Sequence, residues 1–127
     1  MKFIIDTHTF LWFINDSPQL SINAKSLLES DNDLLLSIVS LWEIAIKVSI
    51  GKLTIPHTYE EFIPQQVKIN DIEILPISVA HLATVTMLPL HHRDPFDRLL
   101  IAQTITEKVS IISADKVFDS YSTMRIW

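Results

Sequence analysis

Phe3-Ile4-Ile5-Asp6-Thr7 opens the chain with three apolar residues that stop at an acid. An uninterrupted apolar run this short reads as a strand buried on both faces, the pattern of a parallel sheet covered by helices. A carboxylate at the carboxyl end of such a strand falls on the rim where open α/β sheets bind ligands, at the point where the winding direction reverses. The arrangement recurs near the other end, where Val109-Ser110-Ile111-Ile112 is followed by Asp115. If these two strands are neighbours, Asp6 and Asp115 share one rim.

The residues between them alternate helix and strand signals without repeat, linker or low-complexity tract. A helix is expected over Thr7 to Ile14, ending before Ser17-Pro18. Ser21 can cap a second helix to about Ser30, with Ile22, Leu27 and Leu28 as its inner face. Leu34-Leu35-Leu36 reads as a strand, followed by a helix over Val39 to Ile50 with Leu41, Ile44, Ala45 and Val48 marking its buried side. Gly51, the only glycine, is a natural stop for it. Thr58 and Glu61 have capping-box spacing for a helix through about Lys68. Ile72 to Leu75 is a third strand, and Ser78 can cap the helix carrying His81, Leu82 and Val85. Asp94-Pro95 starts a late helix, with proline at its first position, and Met124 to Ile126 can add a fifth strand. The fold class expected is α/β, a three-layer α/β/α sandwich around a parallel sheet of four to five short strands.

Composition bounds the function. At 127 residues, one domain spanning residues 1–127 is expected. A hydrophobic fraction of 48% leaves apolar surface for a partner or a second subunit, so a homodimer is expected. With no cysteine there is neither a disulfide framework nor a thiolate metal site, which suits a reducing cytoplasm. The amino terminus does not read as a signal peptide, and no stretch has the roughly 18 apolar residues of a membrane helix. The net charge of −5 disfavours a broad basic nucleic-acid groove. It is compatible with a contact bridged by cations.

Four acids stand where this fold could aim them at one pocket: Asp6, Glu43 in the third helix, Asp97 at the start of the late helix, and Asp115. Carboxylates that converge without basic partners either hold protons or are neutralised by a divalent cation. A hard, all-carboxylate and water site favours Mg2+. The lone glycine argues against a Gly-rich phosphate loop. Metal-dependent phosphodiester cleavage is the chemistry this set suits.

Four segments carry a resemblance: Ile5-Asp6-Thr7, Ser40-Leu41-Trp42-Glu43-Ile44-Ala45, Asp94-Pro95-Phe96-Asp97-Arg98-Leu99-Leu100-Ile101-Ala102, and Ile112-Ser113-Ala114-Asp115. In this order they resemble the PIN-domain ribonucleases of the VapC-type toxin class, over essentially the whole chain. The resemblance implies an α/β/α sandwich, a Mg2+ or Mn2+ site, endonucleolytic cleavage of RNA, dimerisation, and inhibition by a small antitoxin protein. It makes Asp6, Glu43, Asp97 and Asp115 the catalytic, metal-holding residues. Water activated at such a site and oriented by a carboxylate such as Glu43 would attack phosphorus in line, leaving 5′-phosphate and 3′-hydroxyl ends.

Each of these residues also has a structural reading. Asp6 can cap a turn or helix at the strand end, and Asp115 can begin the next helix. Glu43 can pair with Lys47 at i+4, and Asp94 can cap the helix in which Asp97 is the third residue. Ser113 and Ser40, with Ser37, are expected as supports for the acids or as caps. Arg93 and Arg98 are the candidates for substrate phosphate. His8 reads as packed and hydrogen-bonded, the pair His91-His92 as an exposed loop or a substrate contact. Phe10, Trp12, Phe13 and Trp42 read as core or dimer packing. Two alternatives stand beside the nuclease: a non-catalytic PIN fold that binds protein or RNA, and a haloacid-dehalogenase-like phosphatase. The second would need aspartate where the chain has His8.

Overall fold

Five parallel strands in the order β3-β2-β1-β4-β5 form the centre of the computed structural model, which describes residues 1–127. The elements follow one another as β1 (Lys2–Ile5), α1 (Thr7–Ile14), α2 (Ile22–Glu29), β2 (Asp33–Ser37), α3 (Ile38–Ser49), α4 (Tyr59–Ile69), β3 (Ile72–Leu75), α5 (Val79–Met87), α6 (Pro95–Glu107), β4 (Ser110–Ile112) and β5 (Arg125–Ile126), with a 3-10 turn at Lys116–Ser120 before β5. The chain winds outward from β1 through β2 to β3, then returns to lay β4 against the other side of β1. The winding therefore reverses between β1 and β4, where such sheets open a crevice at their carboxyl ends.

Strand periodicity divides the apolar residues between two cores. Phe3, Ile5, Leu34, Leu36 and Ile112 face one side, where Phe10 of α1, Ala24 and Leu28 of α2, Ile44 of α3 and Phe62 of α4 cover them. Ile4, Leu35 and Ile111 face the other, under Leu100 and Ile101 of α6, with Phe118 and Tyr121. The result is the three-layer α/β/α sandwich the sequence implies. The apolar runs of β1, β2 and β4 are buried on both faces, which is why they show no polar alternation.

Local signals set most element ends. Ser21, Ser37, Ser78 and Asp94 cap α2, α3, α5 and α6 with their side chains. Gly51, at φ +75°, takes the left-handed conformation just past α3. Two expectations need correction. Ile22 lies outside the core at 91% exposed, and Ala24 with Leu28 forms the buried face of α2. Thr58 begins α4 without a side-chain cap, so the Thr58–Glu61 box does not form. The reciprocal box sits instead at α5, where the Ser78 hydroxyl accepts from the His81 amide and His81 Nδ1 accepts from the Ser78 amide at 3.0 Å. An imidazole replaces the usual glutamate there, a substitution that acidic spacing rules do not anticipate.

The two helix faces predict opposite mutational responses. Ile101→Ala, at a fully buried position, should cost about 2–5 kcal/mol. Ile22→Ala should stay within about 0.5 kcal/mol of the parent. Urea denaturation of both variants checks the assignment.

Candidate active site

The crevice at the reversal point is lined by Asp6, Thr7, His8, Glu43, Asp94, Asp97, Leu100 and Asp115, around a cavity of about 160 Å³. All four acids singled out in the sequence thus meet in one pocket, joined by Asp94. They arrive from separate elements: the end of β1, the middle of α3, the start of α6, and the turn after β4. β1 and β4 are paired through Ile5 and Ile112, which sets Asp6 beside the segment that carries Asp115.

Asp6 is the most enclosed, at 7% exposed. Its Oδ1 accepts from the Thr9 amide at 2.9 Å as the cap of α1, and its Oδ2 accepts from the Ser113 hydroxyl. Each oxygen keeps a further lone pair for a ligand. Ser113 also accepts from the Asp115 amide at 3.0 Å, so one buried hydroxyl relates two of the acids. Asp115 is exposed and caps the 3-10 turn through the Val117 amide at 3.0 Å. Its structural and pocket-lining readings hold together.

Glu43 accepts from the Thr7 hydroxyl at 2.6 Å through Oε1, while Oε2 lies 3.7 Å from Lys47 Nζ. The i+4 pair therefore forms without removing Glu43 from the pocket. Thr7 had no assigned role in the sequence reading, although a hydroxyl one residue past Asp6, in the first turn of α1, is the signal that could have marked it. Asp94 Oδ1 accepts from the amides of Phe96 (2.8 Å) and Asp97 (3.2 Å), which turns the first carboxylate of α6 into a cap and leaves Oδ2 unused.

Asp97 is pushed up to about 6, first by burial and further by the negative charges of Asp94 and Asp115; the hydrogen bond and charge of His92 oppose the rise. His92 Nε2 lies 2.9 Å from Asp97 Oδ2. Ligand atoms of His92, Asp94 and Asp97 all fall within 4.8 Å of one another. Carboxylate oxygens gathered here with one imidazole and little opposing charge form a donor set that suits a hard divalent cation.

Other expected residues lie elsewhere. Arg98 donates to the carbonyls of Pro89 (3.0 Å) and His92 (3.4 Å) and to the Tyr121 hydroxyl (3.3 Å). Its donors hold the loop before α6, so it is not delivered to the pocket as a phosphate ligand. Tyr121, unmarked in the sequence reading, accepts from the amides of His91 and His92 in the same clamp. Arg93 is exposed and lines a separate groove with Leu82, Val85, Pro95, Arg98 and Leu99. Ser40 is fully buried one turn before Glu43, its hydroxyl without a partner, and does not line the pocket. Ser37 caps α3. His8 is exposed on the pocket wall beside the Trp12 ring rather than packed and hydrogen-bonded. Phe10 is buried as expected, whereas Trp42 is 56% exposed and meets Phe96 edge-on.

The raised Asp97 fixes the sign of a pH effect. The folded state holds this proton more tightly than the unfolded chain, so the carboxyl costs stability as pH rises from its ordinary value of 3.8 to about 6, and the full cost persists above that. Asp97→Asn should stabilise the protein at pH 7.5 in EDTA by about 1–2 kcal/mol, discounted for partial solvent access, and the gain should vanish below about pH 4. Thermal melts across that range check it.

Comparison with known proteins places this geometry. The chain matches the PIN domain family model over residues 3–123. No curated protein matches it by sequence. Its fold is similar to a chain in the crystal structure of VapBC2 from Rickettsia felis bound to a DNA fragment from their promoter, at TM-score 0.72 and 18% identity, covering 99% of this chain and 98% of that one. It is also similar to FitAcB from Neisseria gonorrhoeae, at TM-score 0.68 and 14% identity over 100% and 97% of the two chains. For VapBC-1 from nontypeable Haemophilus influenzae the values are 0.67 and 15%, over 99% and 97%. At these identities the structural likeness speaks for the fold, and the family match, which runs through every strand but the last, decides membership: the chain belongs to the PIN domain family.

Proposed function

We propose that this chain is a Mg2+-dependent endoribonuclease and the toxin of a type II toxin-antitoxin pair. The observation that carries the reading is the meeting of Asp6, Glu43, Asp97 and Asp115 in one pocket at the sheet's reversal point. Four negative groups with Lys47 as a peripheral partner are a costly arrangement for stability alone. They are well suited to binding a cation.

Asp6, Glu43, Asp97 and Asp115 would hold one or two Mg2+ ions, with Mn2+ able to substitute. The bound cation supplies Lewis acidity and charge neutralisation at the scissile phosphodiester. Glu43, aligned by Thr7, orients the attacking water and takes its proton. The new oxygen–phosphorus bond forms in line as the bond to the 3′ oxygen breaks, and that oxygen leaves with a proton from solvent. The products carry 5′-phosphate and 3′-hydroxyl ends, and the ribose 2′-hydroxyl takes no part. Ser113 supports Asp6, Asp94 supports Asp97, and Arg93, exposed and free of ion pairs, is the retained candidate for substrate phosphate.

Two partners belong to the proposal. Ile38, Trp42, Ile46 and Ile50 recur every four residues along α3 and its end, and all are exposed. Such a row can interdigitate with a second copy of itself, which supports a homodimer. VapBC, the name carried by two of the similar structures, denotes a family of toxin-antitoxin systems, which favours a small antitoxin protein as the inhibitor here. No helix is long and apolar enough to cross a membrane, and the proposed site of action is the cytoplasm. A phosphatase of the haloacid-dehalogenase type is disfavoured, since the residue two past Asp6, where that pattern needs aspartate, is His8.

Incubation with total RNA in Mg2+ or EDTA tests the activity. Wild type should cut only with Mg2+, Asp6→Asn and Asp97→Asn should lose at least about 100-fold, and Thr7→Val should lose about tenfold. RNA that is bound yet never cut in Mg2+ would identify a non-catalytic binding module instead. In light scattering, Trp42→Asp should shift the wild-type dimer toward monomer, and a wild type that elutes as monomer at all concentrations would remove the α3 row from the proposal.

A further inference from the structure

Ser113 has every polar group engaged, and the last strand holds two of them. Its amide donates to the Ile126 carbonyl at 3.1 Å, and its carbonyl accepts from Arg125 Nη1 at 3.1 Å. Its hydroxyl donates to Asp6 and accepts from the Asp115 amide. The residue that grips Asp6 and sets the start of the Asp115 turn is thus itself held on both sides of its backbone by β5.

Arg125 is in turn held in place. Its Nε and Nη2 donate to the two carboxylate oxygens of Asp119 at 3.0 and 3.1 Å, a bidentate pair. Those hydrogen bonds keep Asp119 below the usual carboxylate range. The Arg125 side chain is only 16% exposed. Asp119 belongs to the 3-10 turn that Asp115 caps. The connections close on themselves: Asp115 caps the turn, the turn presents Asp119, Asp119 fixes the plane of Arg125, and Arg125 holds Ser113. A guanidinium is rigid and planar, so fixing two donors decides where the third points. An ion pair at a surface contributes little to stability by itself, but this one directs a donor at the residue beneath the site.

We infer that Arg125, oriented by Asp119, is a positioning residue for cation binding by Asp6 and Asp115, acting through Ser113 from outside the pocket. The inference rests on the metal-dependent nuclease reading above. Neither Arg125 nor Asp119 lines the pocket. Their work is to keep the β4 end from turning, so that the Ser113 hydroxyl stays on Asp6 and the Asp115 amide stays on Ser113. Outer partners of metal-holding groups commonly contribute about 10–100-fold in metal affinity or activity.

Binding of Mn2+ alone to the full-length protein, followed by the electron paramagnetic resonance of the free ion, tests this without any turnover. The set is wild type, Arg125→Met, Arg125→Lys, Asp119→Asn, and Ile63→Val as a destabilised control on the remote helix α4. Arg125→Met should weaken Mn2+ binding about tenfold, with Asp119→Asn and Arg125→Lys changed in the same direction by less, and Ile63→Val unchanged. In cleavage of an RNA oligonucleotide at saturating Mn2+, Arg125→Met should lower kcat and leave KM as it was. Asp119→Asn, at an exposed position, carries the test should Arg125→Met not fold. Mn2+ affinity within about twofold of wild type in both Arg125→Met and Asp119→Asn would overturn this inference alone. A wild type that binds no Mn2+ would overturn the nuclease reading, and this one with it.

Discussion

A buried carboxylate gripped by a buried hydroxyl, Asp6 by Ser113, is the contact on which the site depends. It ties the ends of β1 and β4 together at the only place where the sheet reverses its winding. The Thr9 amide and the Ser113 hydroxyl offset part of the hydration that the Asp6 carboxylate loses on burial. Without those donors the carboxylate would face the fully buried Ile5 and Ile112 with nothing to compensate it.

The rest of the pocket obeys the same economy, with nearly every acid serving a second structural purpose. Asp6 caps α1, Asp94 caps α6 and Asp115 caps the 3-10 turn. Helix amino termini favour negative charge, so three of the acids meet a partial positive end that softens their mutual repulsion. Asp97 shows where this compensation runs short, since burial and two neighbouring carboxylates leave it reluctant to ionise. A pocket that resists its own charge has a donor set that suits a cation.

The pocket acids were legible from different signals: Asp6 and Asp115 follow apolar runs, Asp97 lies in the first turn of a helix opened by Asp94-Pro95, and Glu43, in mid-helix, stood out through the resemblance of the segment around it. Thr7 and Tyr121 were not, because a hydroxyl carries no periodic signal and its partner lies far along the chain; Thr7 meets Glu43 from 36 positions away. Arg98 misled for the complementary reason. Its charge and its closeness to Asp97 in sequence suggested phosphate, but on a helix the adjacent residue points about 100° away, and the guanidinium turns to loop carbonyls. Ile22 failed likewise, since helix periodicity reveals that a stripe exists without showing which edge of it the sheet will cover.

By itself the sequence determined the element order, the parallel sheet and the four acids, because strand burial, helix capping and glycine or proline punctuation are local effects written within a few residues. Only the tertiary structure decided that β4 returns to β1, that Thr7 meets Glu43, and that Arg125 reaches Ser113. These are contacts between elements whose chain separation carries no trace of their distance in space, and they form only when two apolar layers close over the sheet and fix which strand ends become neighbours.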